Sequence, residues 1–332
     1  MYVLSYILLT LASTIVVWIG SGILEGSSEK LAVHYDLPPI IQGAVIAAVG
    51  SSFPELSSVV ISTLLHGEFE LGVAVIIGSA IFNILVIPGI SGLVVRNPLK
   101  SNRDLVYKEA LFYMLAIAIL LLTFSFAVIY NPVQETGGKM TRILVLAPLL
   151  LYLLYIFIQY QDKMDYQPEM ESSVNPWKQW GLLLFSLGVI MAGVEGLVRS
   201  AIGLGDLLNT PSFLWGVTII AIATSISDTF VSVRAARSGK AVVSIANVLG
   251  SNTFDLLVVL PVGVLIAGSA VIDFSVAAPL MGFLVLATIV LFIFIRTSLE
   301  ISRLESYLLL GIYGLFIFWM LLETVGISSL IF

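Results

Sequence analysis

Stretches of about 20 mostly apolar residues recur from one end of this 332-residue chain to the other, and that is the length a helix needs to cross the hydrocarbon core of a bilayer. In lipid, every backbone N–H and C=O must find its partner within the protein, and an apolar run of this length can do so only as an α-helix. Charge agrees: 11% of the residues are Asp, Glu, Lys or Arg, against about 25% in a soluble domain. The chain therefore reads as an all-α polytopic membrane protein. Ten transmembrane helices are predicted, at 3–24, 38–64, 71–95, 105–130, 141–161, 177–200, 212–236, 242–268, 273–295 and 304–331. The first lacks a basic leader and a small-residue cleavage site, so it is read as a retained helix.

The one long polar stretch, Asp162 to Pro176, is expected to be a short cytoplasmic linker, too small for a regulatory domain. It separates five helices in residues 1–161 from five in residues 177–332. Of the 15 Lys and Arg residues, Lys139, Arg142 and Arg199 fall on the side of the N terminus and the other twelve on the opposite side. Positive charge gathers on the cytoplasmic face, which predicts that both termini are extracellular. The chain has no cysteine, so disulfides, thiol catalysis and Cys-ligated metal are excluded. Net charge is −6 with no basic arm, which points away from nucleic acid.

The halves resemble each other. Gly43 to Leu56 reads G-A-V-I-A-A-V-G-S-S-F-P-E-L, and Gly216 to Thr229 reads G-V-T-I-I-A-I-A-T-S-I-S-D-T. Gly78 to Leu85, G-S-A-I-F-N-I-L, is echoed by Gly250 to Leu257, G-S-N-T-F-D-L-L, and Glu25-Gly26 more faintly by Glu195-Gly196. Five helices per half is an odd number, so the second half must enter the membrane in the opposite sense. Inverted repeats of this kind build one site near the midplane.

Glu55, Asp228 and Asp255 lie well inside apolar segments. A charge at the bilayer centre costs roughly 2.5–3.5 kcal/mol on insertion scales, and such groups face a cavity or pathway. A purely structural polar contact between helices is the bland alternative; recurrence at matching repeat positions argues against it. Ser51, Ser52, Thr224 and Ser225 supply hydroxyls one turn earlier, and Pro54 breaks the first helix there. Ser79, Asn83, Ser251 and Asn252 add neutral oxygens near Asp255. Carboxylate, hydroxyl, amide and carbonyl oxygens are hard ligands, suited to calcium rather than zinc or copper. Gly43, Gly50, Gly72, Gly78, Gly216 and Gly250 are expected to let helices approach closely.

These paired segments resemble the two alpha-repeats of the cation/calcium antiporter superfamily, to which the sodium/calcium exchangers belong. The motifs cover 43–91 and 216–263. The resemblance implies two inverted five-helix repeats. The second and third helices of each would surround the ions, and the first and sixth, long and tilted, would slide across that core. It implies as ion ligands Glu55, Ser52, Ser51, the carbonyl of Ala48, Ser79 and Asn83 from the first half. From the second half it implies Asp228, Ser225, Thr224, the carbonyl of Ala221, Ser251 and Asp255. Glu55 and Asp228 would bind calcium directly; Asp255 and Asn83 would line a central position for sodium, water, a proton or potassium. The family's second Pro-Glu is here Ser227-Asp228, so the proline break is expected to be lost. The Glu, Asp, Asp set resembles the potassium-dependent exchangers.

The resemblance implies sodium/calcium exchange with no cofactor; a calcium/proton exchanger is the runner-up. An intramembrane aspartyl protease would need Tyr35-Asp36 and Gly203-Leu204-Gly205-Asp206, but both aspartates read as connector residues on opposite faces, in separate halves. A cation channel needs no duplicated helix breaks. The expected setting is a multi-pass monomer in the plasma membrane, its partners lipid and inorganic cations.

Overall fold

The computed structural model describes residues 2–35, 48–96, 98–103, 105–133, 136–161 and 175–327. The first half runs α1 (Tyr2–His34), α2 (Ala48–Ser51), α3 (Phe53–Leu64), α4 (Phe69–Val94), β1 (Leu99–Lys100), α5 (Ala110–Tyr130), β2 (Gly137–Thr141) and α6 (Leu146–Gln161). The second runs α7 (Pro176–Leu208), α8 (Ser212–Trp215), α9 (Ala221–Thr224), α10 (Ile226–Arg237), α11 (Ala241–Phe254), α12 (Leu260–Ala267), β3 (Ser269–Asp273), α13 (Phe274–Arg296), β4 (Glu300–Ile301) and α14 (Arg303–Thr324). π-helical turns enter α5 at Leu105–Glu109, join α8 to α9 at Gly216–Ile220 and join α11 to α12 at Asp255–Val259.

Seven helices among the described residues are long and apolar enough to cross a membrane, and the bent run from α8 to α10 makes an eighth. The chain is a multi-pass, mostly helical membrane protein. Two of the ten expected spans are represented by shorter helices, α3 with 12 residues and α6 with 16. The span expected at 38–64 is described only from Ala48 onward; Asp36 and Gly43 lie outside the described residues, as do 162–174 of the expected linker and 328–331 of the last expected span. α1 and α7 are longer than expected, with 33 residues each. At 1.5 Å per residue each is about 50 Å long, well beyond the ~30 Å hydrocarbon core. The polar residues at the end of α1 do not stop it, because Ser27, Ser28 and Leu31 are buried against the core. α7 closes at Asn209, which takes the left-handed conformation (φ 51°) that asparagine tolerates at helix ends.

α4 is the centre of the fold: 94% of its most apolar stretch is buried, against 28% for α1 and 33% for α7. Ile76, Ile77, Ile81, Ile84 and Leu85 are wholly buried there. α1 and α7 lie outside this core and pack on each other. A side-chain carbon added at Gly193 would stand 2.8 Å from Val17, and one at Gly20 would stand 2.7 Å from Ile190; the two glycines let these long helices touch closely.

The all-α expectation needs one addition. Two small antiparallel sheets tie the halves together: β1 with β4 (Leu99 opposite Ile301) and β2 with β3 (Gly137 opposite Asp273 through Thr141 opposite Ser269). Strands of two and five residues carry too little alternation to be seen in a sequence. Asp273 caps α13 by accepting from the Ser275 amide at 2.9 Å. Burial pushes its carboxyl up, but the bonds from Ser275 and Thr136 prevail and hold it below its ordinary value.

Candidate functional site

Two broken helices place the acids. α2 stops at Ser51, Ser52 turns (φ −92°, ψ 7°), and α3 begins with Pro54 in its first turn. α9 stops at Thr224, Ser225 turns (φ −76°, ψ 1°), and α10 follows. Both serines sit in the sparsely populated region near ψ 0°. The hydrogen bonds beyond the turns also match: the Leu56 amide donates to the Ser52 carbonyl at 3.0 Å, and the Thr229 amide to the Ser225 carbonyl at 3.1 Å. The expected loss of the second break is thus overturned: a 42° bend survives without proline. Its physical support is local. A π-turn precedes it, and the Ser227 hydroxyl donates to the Thr224 carbonyl at 3.1 Å, satisfying a group freed by the turn.

Each break sets a carboxylate in the first turn of the next helix, Glu55 in α3 and Asp228 in α10. There the positive end of the helix dipole favours negative charge. Asp255 opens the π-turn after α11. Glu55, Asp228, Asp255 and Asn83 are all 0% exposed, and Ser52, Ser79, Thr224 and Ser225 match them.

Links across the halves bring these residues together. The Asn83 amide nitrogen donates to Asp228 Oδ2 at 3.0 Å and to Asn252 Oδ1 at 3.0 Å. The Ser79 hydroxyl lies 3.3 Å from the Ala221 carbonyl and 3.2 Å from Thr224 Oγ1. Ser79 and Thr224 flank Glu55, Ser51 and Ser251 flank Asp228, and Ser52 flanks Asp255. The carbonyl of Ala221 also takes the Thr224 hydroxyl at 3.3 Å and the Ser225 amide at 3.2 Å. Ala48 opens α2 as Ala221 opens α9.

Eight buried oxygens of this cluster have no well-formed hydrogen bond: both of Glu55, both of Asp255, Asp228 Oδ1, Asn83 Oδ1, Ser52 Oγ and Ser225 Oγ. Among the described residues, none of the groups acting on the three carboxylates is a cationic side chain. Among the described residues no three acidic or histidine side chains form a metal cluster by themselves, so the cluster is a mixed one of carboxylate, amide and hydroxyl oxygens. The donor set is all oxygen, which fits hard cations.

Not all expectations hold. Gly78 is a close-approach glycine, since an added carbon would stand 2.8 Å from the Ala221 side chain, and Gly72 and Gly216 behave alike. Gly250 has nothing within 4 Å, and Gly50 meets only Glu25 Cα at 4.0 Å; these two do not set helix spacing. Asp206 lies exposed in the last turn of α7, not in a connector. The sequence reading named Asn252 only as a neutral oxygen and missed Tyr113, which bonds to it at 3.2 Å. The one signal was a polar tip within an apolar span.

Two cavities lie at opposite ends of the α8–α10 run. One of ≈ 920 Å³ lies between α1 and α10, with Glu25, Glu29, Arg234 and Ser227 on its wall, and Ser227 adjoins Asp228. The other, ≈ 520 Å³, is bordered by Glu68, Glu70, Ser212 and Ser269. Near that end the Glu195 carboxylate of α7 is held by His66, just beyond α3, at 3.1 Å.

The sodium/calcium exchanger protein model matches residues 5–161 and 178–322. The chain is 23% identical over 345 residues to the sodium/calcium exchanger MaX1 of Methanosarcina acetivorans, covering 90% of this chain and 93% of that one. It is 34% identical over 141 residues to the mouse sodium/potassium/calcium exchanger 4, covering 42% of this chain and 21% of that one. Among solved structures, the sodium-calcium exchanger NCX_Mj superposes with a TM-score of 0.63 at 23% identity, over 94% of this chain and 98% of that one. The H+/Ca2+ exchanger CAX gives 0.70 at 16%, over 97% and 88%. These relatives are transporters rather than enzymes, and the chain, matched over nearly its whole length, belongs to the sodium/calcium exchanger protein family.

Proposed function

We propose that the protein is a secondary antiporter that exchanges sodium for calcium across the plasma membrane by alternating access, with both termini extracellular. The observation that carries this reading is the set of eight unsatisfied oxygens around Glu55, Asp228 and Asp255. A buried polar atom left without a good hydrogen bond costs about 1–3 kcal/mol. Such a site must be loaded with cations or protons, and competition for the same oxygens couples one ion to another. Glu55 and Asp228 hold calcium, with Ser51, Ser52, Thr224, Ser225 and the carbonyls of Ala48 and Ala221 around it. Asp255, Asn83, Ser79 and Ser251 hold sodium at the centre. The sheet pattern supports an inverted repeat, because β1 and β3 follow corresponding helices, as do β2 and β4. α1 and α7, peripheral and in close mutual contact, are the pair that slides.

Radioactive calcium uptake into sodium-loaded proteoliposomes, diluted into sodium-free buffer at clamped pH, tests this. Uptake that vanishes without the sodium gradient supports the reading, and omitting potassium decides its dependence on that ion. Uptake driven instead by a proton gradient would replace sodium with protons as the counter-ion.

A further inference from the structure

We infer that Tyr113 is a positioning residue for the central cation: its hydroxyl fixes the amide of Asn252, which turns the oxygen rather than the nitrogen of Asn83 into the ion cavity. This deepens the proposed function and rests on Asn83 Oδ1 facing the transported cation. Tyr113 stands on α5 and is 0% exposed. The Asn252 nitrogen donates to Tyr113 Oη at 3.2 Å and to the Ala80 carbonyl at 3.1 Å. Asn252 Oδ1 is then the end that receives the Asn83 nitrogen, at 3.0 Å. Asn83 gives its other N–H to Asp228 Oδ2, at 3.0 Å. Both donors of Asn83 are engaged, and its oxygen is left free.

Only one orientation of the two amides satisfies these contacts. Reversing Asn83 would set its oxygen against the Asp228 carboxylate, and reversing Asn252 would set its oxygen against the Ala80 carbonyl. Beyond Tyr113, the Thr288 hydroxyl of α13 lies beside the phenol. It directs its own proton to the Leu284 carbonyl at 2.7 Å, so its oxygen is open to the Tyr113 proton, and Tyr113 Oη is in turn open to Asn252. The donors thus run one way, from Asn83 to Asn252 and from Asn252 to Tyr113, with Thr288 beside the phenol. Asn252 occupies the repeat position of Ala80, so this relay exists in one half only. It enters from α5 and α13, outside the motifs that supply the ligands.

The test is Tyr113→Phe in reconstituted protein. Losing one buried hydrogen bond corresponds to about a tenfold change in an equilibrium. The half-saturating sodium concentration for calcium exchange should therefore rise by that order with maximal rate little changed, while the cation-free melting temperature falls modestly because one Asn252 N–H loses its partner. In an Asn252→Leu background the same substitution should add nothing, because Tyr113 acts only through that amide. Thr288→Val, at the far end of the relay, should shift sodium dependence in the same direction by less, and carries the test should Tyr113→Phe fail to fold. Unchanged sodium dependence, or an equal shift in the Asn252→Leu background, overturns the inference. Absence of sodium-for-calcium exchange in the wild type would count against the proposed function instead. The relay is then scored on whichever of sodium, potassium, calcium or magnesium raises the wild-type melting temperature, and if none does, both readings fall.

Discussion

Glu55 and Asp228 stand at matching points of the two breaks, and each is fully enclosed with no cationic partner among the described residues. Burying a charged group is costly unless it is paired. Neutral amides should therefore have two opposite effects. Glu55→Gln and Asp228→Asn should each lower calcium uptake by at least about a hundredfold, since one of few charged ligands is gone. The same substitutions should raise the melting temperature of the cation-free protein while abolishing its further rise on adding calcium, because a ligand stabilises only the state it binds. Thermal unfolding in detergent with and without calcium measures both. A variant that keeps the calcium-dependent rise would show that its carboxylate is not a ligand. These acids were visible in the sequence because charge within an apolar run is costly and so rare. Tyr113 and the direction of the Asn83 amide were not visible, because they depend on partners up to 169 residues apart in the chain.

At the scale of the element, the second break teaches that a proline is sufficient but not necessary. Ser225 reaches nearly the same backbone angles as Ser52, with Ser227 supplying a hydrogen bond where Pro54 supplies rigidity. Ser227→Pro should accordingly fold and transport, since proline is tolerated in the first helical turn; loss of expression or uptake would mean that the Ser227 hydroxyl is required. The glycines give a sharper contrast. Gly78→Val would drive carbon into the Val217 carbonyl and the Ala221 side chain, and overpacking of this kind costs typically about 1–3 kcal/mol. Gly250→Ala meets open space and should leave melting temperature and uptake near wild type. The sequence motif treats Gly78 and Gly250 as equivalents; their neighbours, which a motif does not record, separate them. Helix ends show the same limit: the apolar runs located α1 and α7, but burial of polar residues such as Ser27 and Ser28 extends α1 beyond its apolar part.

At the scale of the molecule, the two halves meet through the cluster itself, through α4 and through a small sheet of one strand from each half, formed twice. The multi-pass helical plan was legible as recurring apolar runs, whereas the sheets that stitch the halves were not. α1 and α7 contribute no strand to either sheet, so the stitching holds the scaffold and leaves that long pair outside it.

The stitching also changes what the covalent link between Gln161 and Asn175 is for. If strand pairing and core packing hold the halves, one polypeptide is a convenience rather than a necessity. Two genes, encoding residues 1–161 and 175–332, should then complement each other when co-expressed: neither fragment alone would support calcium uptake, and both would co-purify as an active heterodimer.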